Sequence, residues 1–319
     1  MAQLIAETIL NGVQAGVFLF LIAAGLTLVF GIMNMVNLAH GSLFMMGAYF
    51  AAFFFREIPG FSESIGMPVG PALGFLIAII LALPLSLLLG IALEFLTLRT
   101  LYQRDHLDQV LATFGFILFF NQFVLVVFGA ESQTYQLPES IDFPFPLFGF
   151  SYPFYRLIVI VAGLLVALGL YLVISRTRVG MLIRAGASRR EMVGALGVNI
   201  TLLFTIVFGI GAALAGLAGI LIGPIESVQS GMGESKLILA FVVIVIGGIG
   251  SIRGAFIAAL VVGLVEVSGR VFMKDLLGLM LPDEFAQTAG PALSSMIIYI
   301  LMAGVLFFKP EGLFPARNG

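Results

Sequence analysis

The stretch Val179–Asn199, VGMLIRAGASRREMVGALGVN, stands between two runs made almost entirely of apolar residues, Leu157–Ser175 before it and Thr201–Ile222 after it. Each run is about 20 residues long, enough for a helix to cross a hydrocarbon core of about 30 Å. Arg176, Arg178, Arg184, Arg189 and Arg190 cluster in or beside the intervening stretch. Basic residues gather in the cytoplasmic loops of membrane proteins, so the cluster places this loop on the cytoplasmic side. Ser188 and Glu191 have the spacing of a capping box, which predicts a short helix that begins at Arg189 and stops where Gly197 permits a left-handed turn. The reading is two crossing helices joined by a cytoplasmic loop, 176–199, that carries a surface helix.

The remainder of the chain has the same character. Of its 319 residues 61% are hydrophobic and 10% are charged, against about 25% charged in soluble domains, and the mean hydropathy is +1.16. The fold class is therefore all-α, a polytopic transmembrane bundle forming a single integral membrane domain over 1–319. The apolar runs are Ile9–Met33, Leu38–Phe55, Ala72–Leu98, Val110–Phe128, Leu157–Ser175, Thr201–Ile222, Leu237–Ile249, Ala255–Phe272 and Ala289–Phe308, eight or nine of them long enough to span. Leu237–Ile249 is short and follows the polar, glycine-rich GPIESVQSGMGES, so a broken or re-entrant helix fits there as well as a full span. Placing Arg99, Arg104, the arginine cluster, Arg253, Lys309 and Arg317 on the cytoplasmic side puts the N-terminus outside and the C-terminus inside. The first run follows a start with no basic residue, which predicts a retained span rather than a cleaved signal. With no Cys there is no thiolate metal site or disulfide framework, and a net charge of −2 gives no reason to expect a nucleic-acid partner.

Residues 129–155 form the one substantial external loop. Pro138, Pro144, Pro146 and Pro153 are interleaved with Phe143, Phe145, Phe148, Phe150, Tyr152, Phe154 and Tyr155, a composition that predicts a rigid surface. It reads equally as an aromatic interfacial belt and as a docking surface for an external partner. Gly211, Ala215, Gly219 and Gly223 stand four apart and predict close helix packing. Gly247, Gly248, Gly250 and Gly254 are too dense for an uninterrupted helix and predict a break or hinge.

Polar residues at membrane depth are the candidates for a solute path. The best cluster is Asn34, Asn37, His40, Gly41 and Ser42 in NMVNLAHGS, whose alternative role is to cap the helix ends on either side. Asn11, Gln14, Thr27, Asn121 and Gln122 read as interhelical hydrogen-bonding groups, Glu266 and Arg270 as an i,i+4 ion pair, and Glu94, close to Arg99, as an interfacial residue. The acids otherwise fall in loops or near span ends, which weighs against an ion-coupled carrier. No GxxxxGK[ST] loop is present, so any ATP must be hydrolysed by a partner, and no HExxH, CxxC or GxSxG pattern accompanies the two histidines, His40 and His106. The chain is expected to bind no cofactor of its own, and an enzyme is disfavoured.

Four stretches in order carry a more specific resemblance: Asn11–Ala52 (NGVQAGVFLFLIAAGLTLVFGIMNMVNLAHGSLFMMGAYFAA), Arg184–Asn199 (RAGASRREMVGALGVN), Gly247–Glu266 (GGIGSIRGAFIAALVVGLVE) and LFFKPEGLFP near the C-terminus. Together they resemble the permease subunits of branched-chain amino-acid type ABC importers. The resemblance implies a bacterial inner-membrane permease that forms half of a translocation path, with a second permease (a paralogue or another copy), two cytoplasmic ATPases and an external solute-binding protein as partners, all in membrane lipid. It implies that Arg184, Ala185, Glu191, Met192 and Gly197 belong to the element that couples to the ATPases. It also makes Asn37 and His40 the leading pathway side chains, and Gly247, Gly248 and Gly250 the hinge. Related permeases extend the solute class to urea, short amides or aromatic acids. An ion-coupled carrier or a passive channel would need no ATPase partner and would be indifferent to Glu191→Ala.

Overall fold

The computed structural model describes residues 2–66, 68–147, 149–279 and 283–315. Its helices are α1 (Ala2–Met33), α2 (His40–Ser64), α3 (Pro71–Leu93), α4 (Arg99–Leu101), α5 (His106–Phe128), α6 (Phe154–Arg176), α7 (Arg178–Ala195), α8 (Ile200–Ile222), α9 (Met232–Gly247), α10 (Ile252–Gly278) and α11 (Asp283–Phe308). A π turn over Glu94–Leu98 joins α3 to α4 in one continuous rod. The apolar runs of the sequence all fall on helices. Among the described residues, α1, the α3–α4 rod, α5, α6, α8 and α10 are long and apolar enough to cross a membrane. With 16 residues, α9 rises about 24 Å, less than a hydrocarbon core of about 30 Å.

Helix α1 is apolar on every side, and such a helix belongs in the centre of a bundle. Every residue from Gly16 to Val29 is buried, packed against α6, α8, α9 and α10. By contrast α3, α5 and α6 expose Leu76, Ile80, Leu88, Leu111, Leu118 and Leu165, the outward surface that lipid solvates. Between helices in lipid, association depends on close packing rather than on expulsion of water, so small residues sit where backbones meet. The α8 face read from the sequence does this. A β-carbon on Gly219 would stand 1.9 Å from the Phe44 carbonyl oxygen of α2, and one on Gly211 would stand 3.0 Å from the Gly25 carbonyl oxygen of α1.

The arginine-rich α7 lies at one end of the bundle. At the other end, residues 129–153 form a structured surface with an antiparallel hairpin, β1 (Pro144–Leu147) and β2 (Phe150–Pro153), in register Pro144↔Pro153. Phe148 lies outside the described residues. Tyr152 donates to Asn11 Oδ1 at 3.0 Å and Arg156 donates to the same oxygen at 2.7 Å, tying the hairpin and α6 to α1. Gln133 pairs its backbone with Val228. Tyr135 donates to the Ile220 carbonyl at 3.0 Å, and burial pushes its phenol well above the usual range, so it stays a donor.

Two expectations need correction here. The capping box at Ser188 does not start a helix: α7 begins ten residues before Ser188, at Arg178, where Thr177 Oγ1 accepts from Gly180 N at 3.1 Å. Thr177 precedes the apolar positions Leu182, Ile183 and Val193, so the cap that matters is the one before the first turn packed on the bundle. The end is as read, with Gly197 at φ +86°. Glu94 does not lie on the surface, because the π turn carries it inward to full burial beside Arg99.

Candidate functional site

Helix α7 is held by one face and offers the other. Ile183, Gly186 and Val193 are buried against the bundle, with Gly186 facing Leu203 of α8 and Ile32 of α1. Arg184 donates to the Ile174 carbonyl at the end of α6, where a cation suits the free carbonyls of a helix C-terminus. Glu191, Met192 and Leu196 are exposed, Leu196 at 78% and Met192 at 56%. Asn199 then caps α8, accepting from Leu202 N at 3.0 Å. Ala185 is half-buried. An amphipathic helix anchored at both ends, with two large apolar side chains outward, is a surface built for a partner.

Beside α7 opens a cleft of about 640 Å³ lined by residues from five regions, among them Asn34, Ser175, Arg184, Gly250, Arg253 and Pro315. It brings the ends of α1 and α6, the arginine-rich helix α7, the glycine break and the C-terminal segment to one place. Ser175 Oγ has no hydrogen-bond partner among the described residues. Arg253 lies over the Tyr171 ring at 5.1 Å and donates to its hydroxyl at 3.0 Å.

The NMVNLAHGS segment divides in two. Asn34 adopts φ +52° as the chain leaves α1, a conformation Asn tolerates better than most residues, and it reaches the cleft. Asn37, His40, Gly41 and Ser42 are instead buried in the packed bundle. Asn37 Oδ1 accepts from Ala39 N at 3.0 Å, so this side chain shapes the turn into α2. Its Nδ2 and both ring nitrogens of His40 have no partner at hydrogen-bond geometry. Gly41 meets Gly233 of α9 so closely that a β-carbon on Gly41 would stand 2.5 Å from the Gly233 carbonyl oxygen. Buried and unsatisfied donors are costly and mark places where water, a ligand or a second conformation completes the bonding.

The glycine break is present as read. Helix α9 ends at Gly247, Gly248 and Gly250 have φ +100° and +80°, and Ser251 caps α10 by accepting from Gly254 N at 3.1 Å. The C-terminal segment closes over it: Leu313 N donates to Ile246 O at 2.8 Å and Phe314 N to Gly247 O at 3.0 Å. Arg317 lies outside the described residues.

Two acids near helix ends take partners on distant helices. Glu94 accepts from Thr205 Oγ1 at 2.7 Å and from the Tyr102 hydroxyl, and pairs with Arg99 at 3.3 Å, so it joins the α3–α4 rod to α8. Glu234 in α9 accepts from Asn121 Nδ2 of α5 at 2.6 Å. Glu266 and Arg270 form the expected ion pair. Asn11 and Asn121 make the interhelical bonds expected of them, whereas the buried Thr27 hydroxyl has no partner among the described residues. Gln14 is buried and Gln122 exposed. Thr177 was legible as a Thr before a helical pattern; Thr205, a donor to Glu94, and Asn121, the partner of Glu234, lie more than a hundred positions away.

The model of the family described as branched-chain amino acid transport system / permease component matches residues 8–306. The chain belongs to this family. Its curated relatives include the high-affinity branched-chain amino acid transport system permease protein BraD of Pseudomonas aeruginosa, 30% identical over 314 residues, which covers 96% of this chain and 94% of that protein. The LivH permease protein of Escherichia coli K12 is 28% identical over 311 residues, 96% of both chains. A probable LivH of Methanocaldococcus jannaschii is 26% identical over 299 residues, 92% of this chain and 88% of that protein. No solved structure matches significantly. The chain is thus a multi-pass membrane permease component of the ABC transporter class, and the permease component of a transport system works with other subunits.

Proposed function

We propose that this permease forms half of the translocation path of an ATP-driven importer for branched-chain, hydrophobic amino acids in a bacterial inner membrane. It works with a second permease, a paralogue or a copy of itself, with two cytoplasmic ATPases and with an external binding protein that delivers the solute. The observation that carries the reading is α7, fixed to the bundle through Ile183, Gly186 and Val193 while Glu191, Met192 and Leu196 are free. ATP binding and hydrolysis occur on the partners, and this chain holds no cofactor. Closure of the ATPase pair presses α7, which must bind the two ATPase states differently for coupling to occur. The push passes through Arg184 to the end of α6 and across the cleft to the hinge at Gly247, Gly248 and Gly250, so the bundle rearranges between outward- and inward-open states. Asn34 contacts the inner vestibule, and Asn37, His40, Gly41 and Ser42 form the gate, whose unsatisfied donors are paired in the open state. In this orientation the N-terminus is outside and the C-terminus is cytoplasmic.

Affinity purification from the native membrane in mild detergent tests the assembly. Recovery of ATPase subunits and a second permease supports it; recovery of the chain alone, moving solute in proteoliposomes without ATP, overturns it. Within the assembled complex, Glu191→Ala should uncouple ATP hydrolysis from leucine uptake. His40→Ala should reduce uptake without loss of assembly, and an unchanged rate would remove His40 from the gate.

A further inference from the structure

Glu234 stands in the first turn of α9, where the free N–H groups of a helix start favour an acid. Its partner Asn121 stands seven residues before the end of α5 at Phe128, about 10 Å below that end of the helix. Beyond Asn121 towards the same end, Val126 and Val127 are 76% and 55% exposed, an apolar girdle above the acid. Asn121 is itself held in place: its side-chain oxygen accepts from Gly231 N at 3.2 Å and its backbone carbonyl from Ser230 Oγ at 3.0 Å. Glu234 is exposed, and its second carboxylate oxygen has no hydrogen bond among the described residues. Lys236 cannot neutralise it, being paired with Glu226 at 2.9 Å. An exposed carboxylate with a free oxygen is strongly disfavoured against lipid tails, so its open side faces water or a cation.

The rest of α9 shows where that water leads. Ile238, Phe241 and Val245 follow Glu234 at helical spacing on the incompletely buried side of this helix, with Ser235, Lys236 and Leu239 beside them in its outer half. Ile249, two residues past the end of α9, lines the cleft beside α7. One continuous strip thus runs from a carboxylate near the hairpin end to the cleft at the arginine-rich end. Its chemistry is an acid above branched aliphatic and aromatic side chains, complementary to a small molecule with an ammonium group and an apolar side chain.

We propose that this strip is the chain's wall of the solute passage, faced by the second permease, and that Glu234, oriented by Asn121, receives the solute's ammonium group at its outer end. This rests on the importer reading above. The chain has no Cys, so single cysteines can be placed directly in the assembled complex in membrane vesicles and challenged with a charged, water-soluble methanethiosulfonate. Ile238→Cys and Phe241→Cys should react, and excess leucine with binding protein and ATP should slow them, while Leu118→Cys on the lipid face and Val243→Cys in the core should not. Glu234→Gln should lower leucine uptake about tenfold or more, the worth of one charge-assisted hydrogen bond, with Glu234→Asp restoring part of it. A complex that contains its ATPases and imports leucine normally, yet is inert to the reagent at 238 and 241 or indifferent to Glu234→Gln, overturns the passage assignment while leaving the importer reading intact. Loss of the ATPases from the purified complex would instead strike the importer reading itself.

Discussion

Gly219→Ala adds one methyl group at the crossing of α2 and α8, and the geometry sets its effect. The new β-carbon would lie 1.9 Å from the Phe44 carbonyl oxygen and 3.0 Å from Ala48 N, whereas non-bonded atoms are content at about 3.5 Å or more. The obstacle is backbone, so α2 must withdraw by roughly 1.5 Å rather than swing a side chain aside. Overpacking of this kind costs about 1–3 kcal/mol, and the upper end applies because both contacts are main-chain atoms. Alanine returns about 1 kcal/mol of helix propensity, leaving a net loss of about 2 kcal/mol, or roughly 30-fold in the folded-to-unfolded ratio. Gly115→Ala is the control: nothing lies within 4 Å of its β-carbon, so it should gain about 1 kcal/mol from helix propensity alone. The assay is the fraction of monodisperse protein surviving a heating series in mild detergent. If Gly219→Ala melts with or above the native chain while Gly115→Ala behaves as expected, the close approach of α2 and α8 is wrong.

The other predictions follow the same logic. Thr177→Ala should cost about 1 kcal/mol of local stability at the start of α7, seen as faster tryptic cleavage at Arg176 and Arg178 in vesicles with little change in global melting; equal cleavage rates count against the cap. Glu94→Ala leaves Arg99, Tyr102 and Thr205 without their common acceptor and should destabilise by about 2 kcal/mol, less than a fully buried pair because Arg99 is partly solvated. Glu94→Gln should recover part of this, and equal melting of the three proteins refutes the network. Gly248→Ala combines φ +100° with a β-carbon 2.9 Å from the Phe314 carbonyl oxygen, at about 1–3 kcal/mol. It should release the segment Leu313–Pro315, measured as increased cleavage by carboxypeptidase, and unchanged resistance argues that this segment does not depend on the break.

Much of the architecture is legible one residue at a time because hydrocarbon is an unforgiving solvent. A span must satisfy its own backbone and present apolar side chains, a local and additive requirement that the runs from Ile9 to Phe308 declare without reference to one another. The same holds for Gly197 and for Gly247–Gly250, where the backbone needs conformations that only glycine adopts at little cost. The small-residue face of α8 was readable for a related reason, since spacing of four on a helix defines a face whatever it meets.

What could not be read are the relations between runs. Ser188 and Glu191 form a valid capping pattern, yet α7 starts at Thr177, because packing of Ile183 and Gly186 on the bundle outweighs a local capping preference. Glu94 pairs with its neighbour Arg99, but its donor Thr205 lies 111 positions away, and Glu234 looks like a loop acid although Asn121, 113 positions earlier, ties it to α5. His40 is a polar residue in a break by sequence and a fully buried ring in the bundle. The apolar pattern thus decided that the chain lives in a membrane and where its helices run. Tertiary packing alone decided which polar groups are enclosed, which face a cleft and which remain for a partner, because burial and pairing depend on neighbours that no local stretch contains.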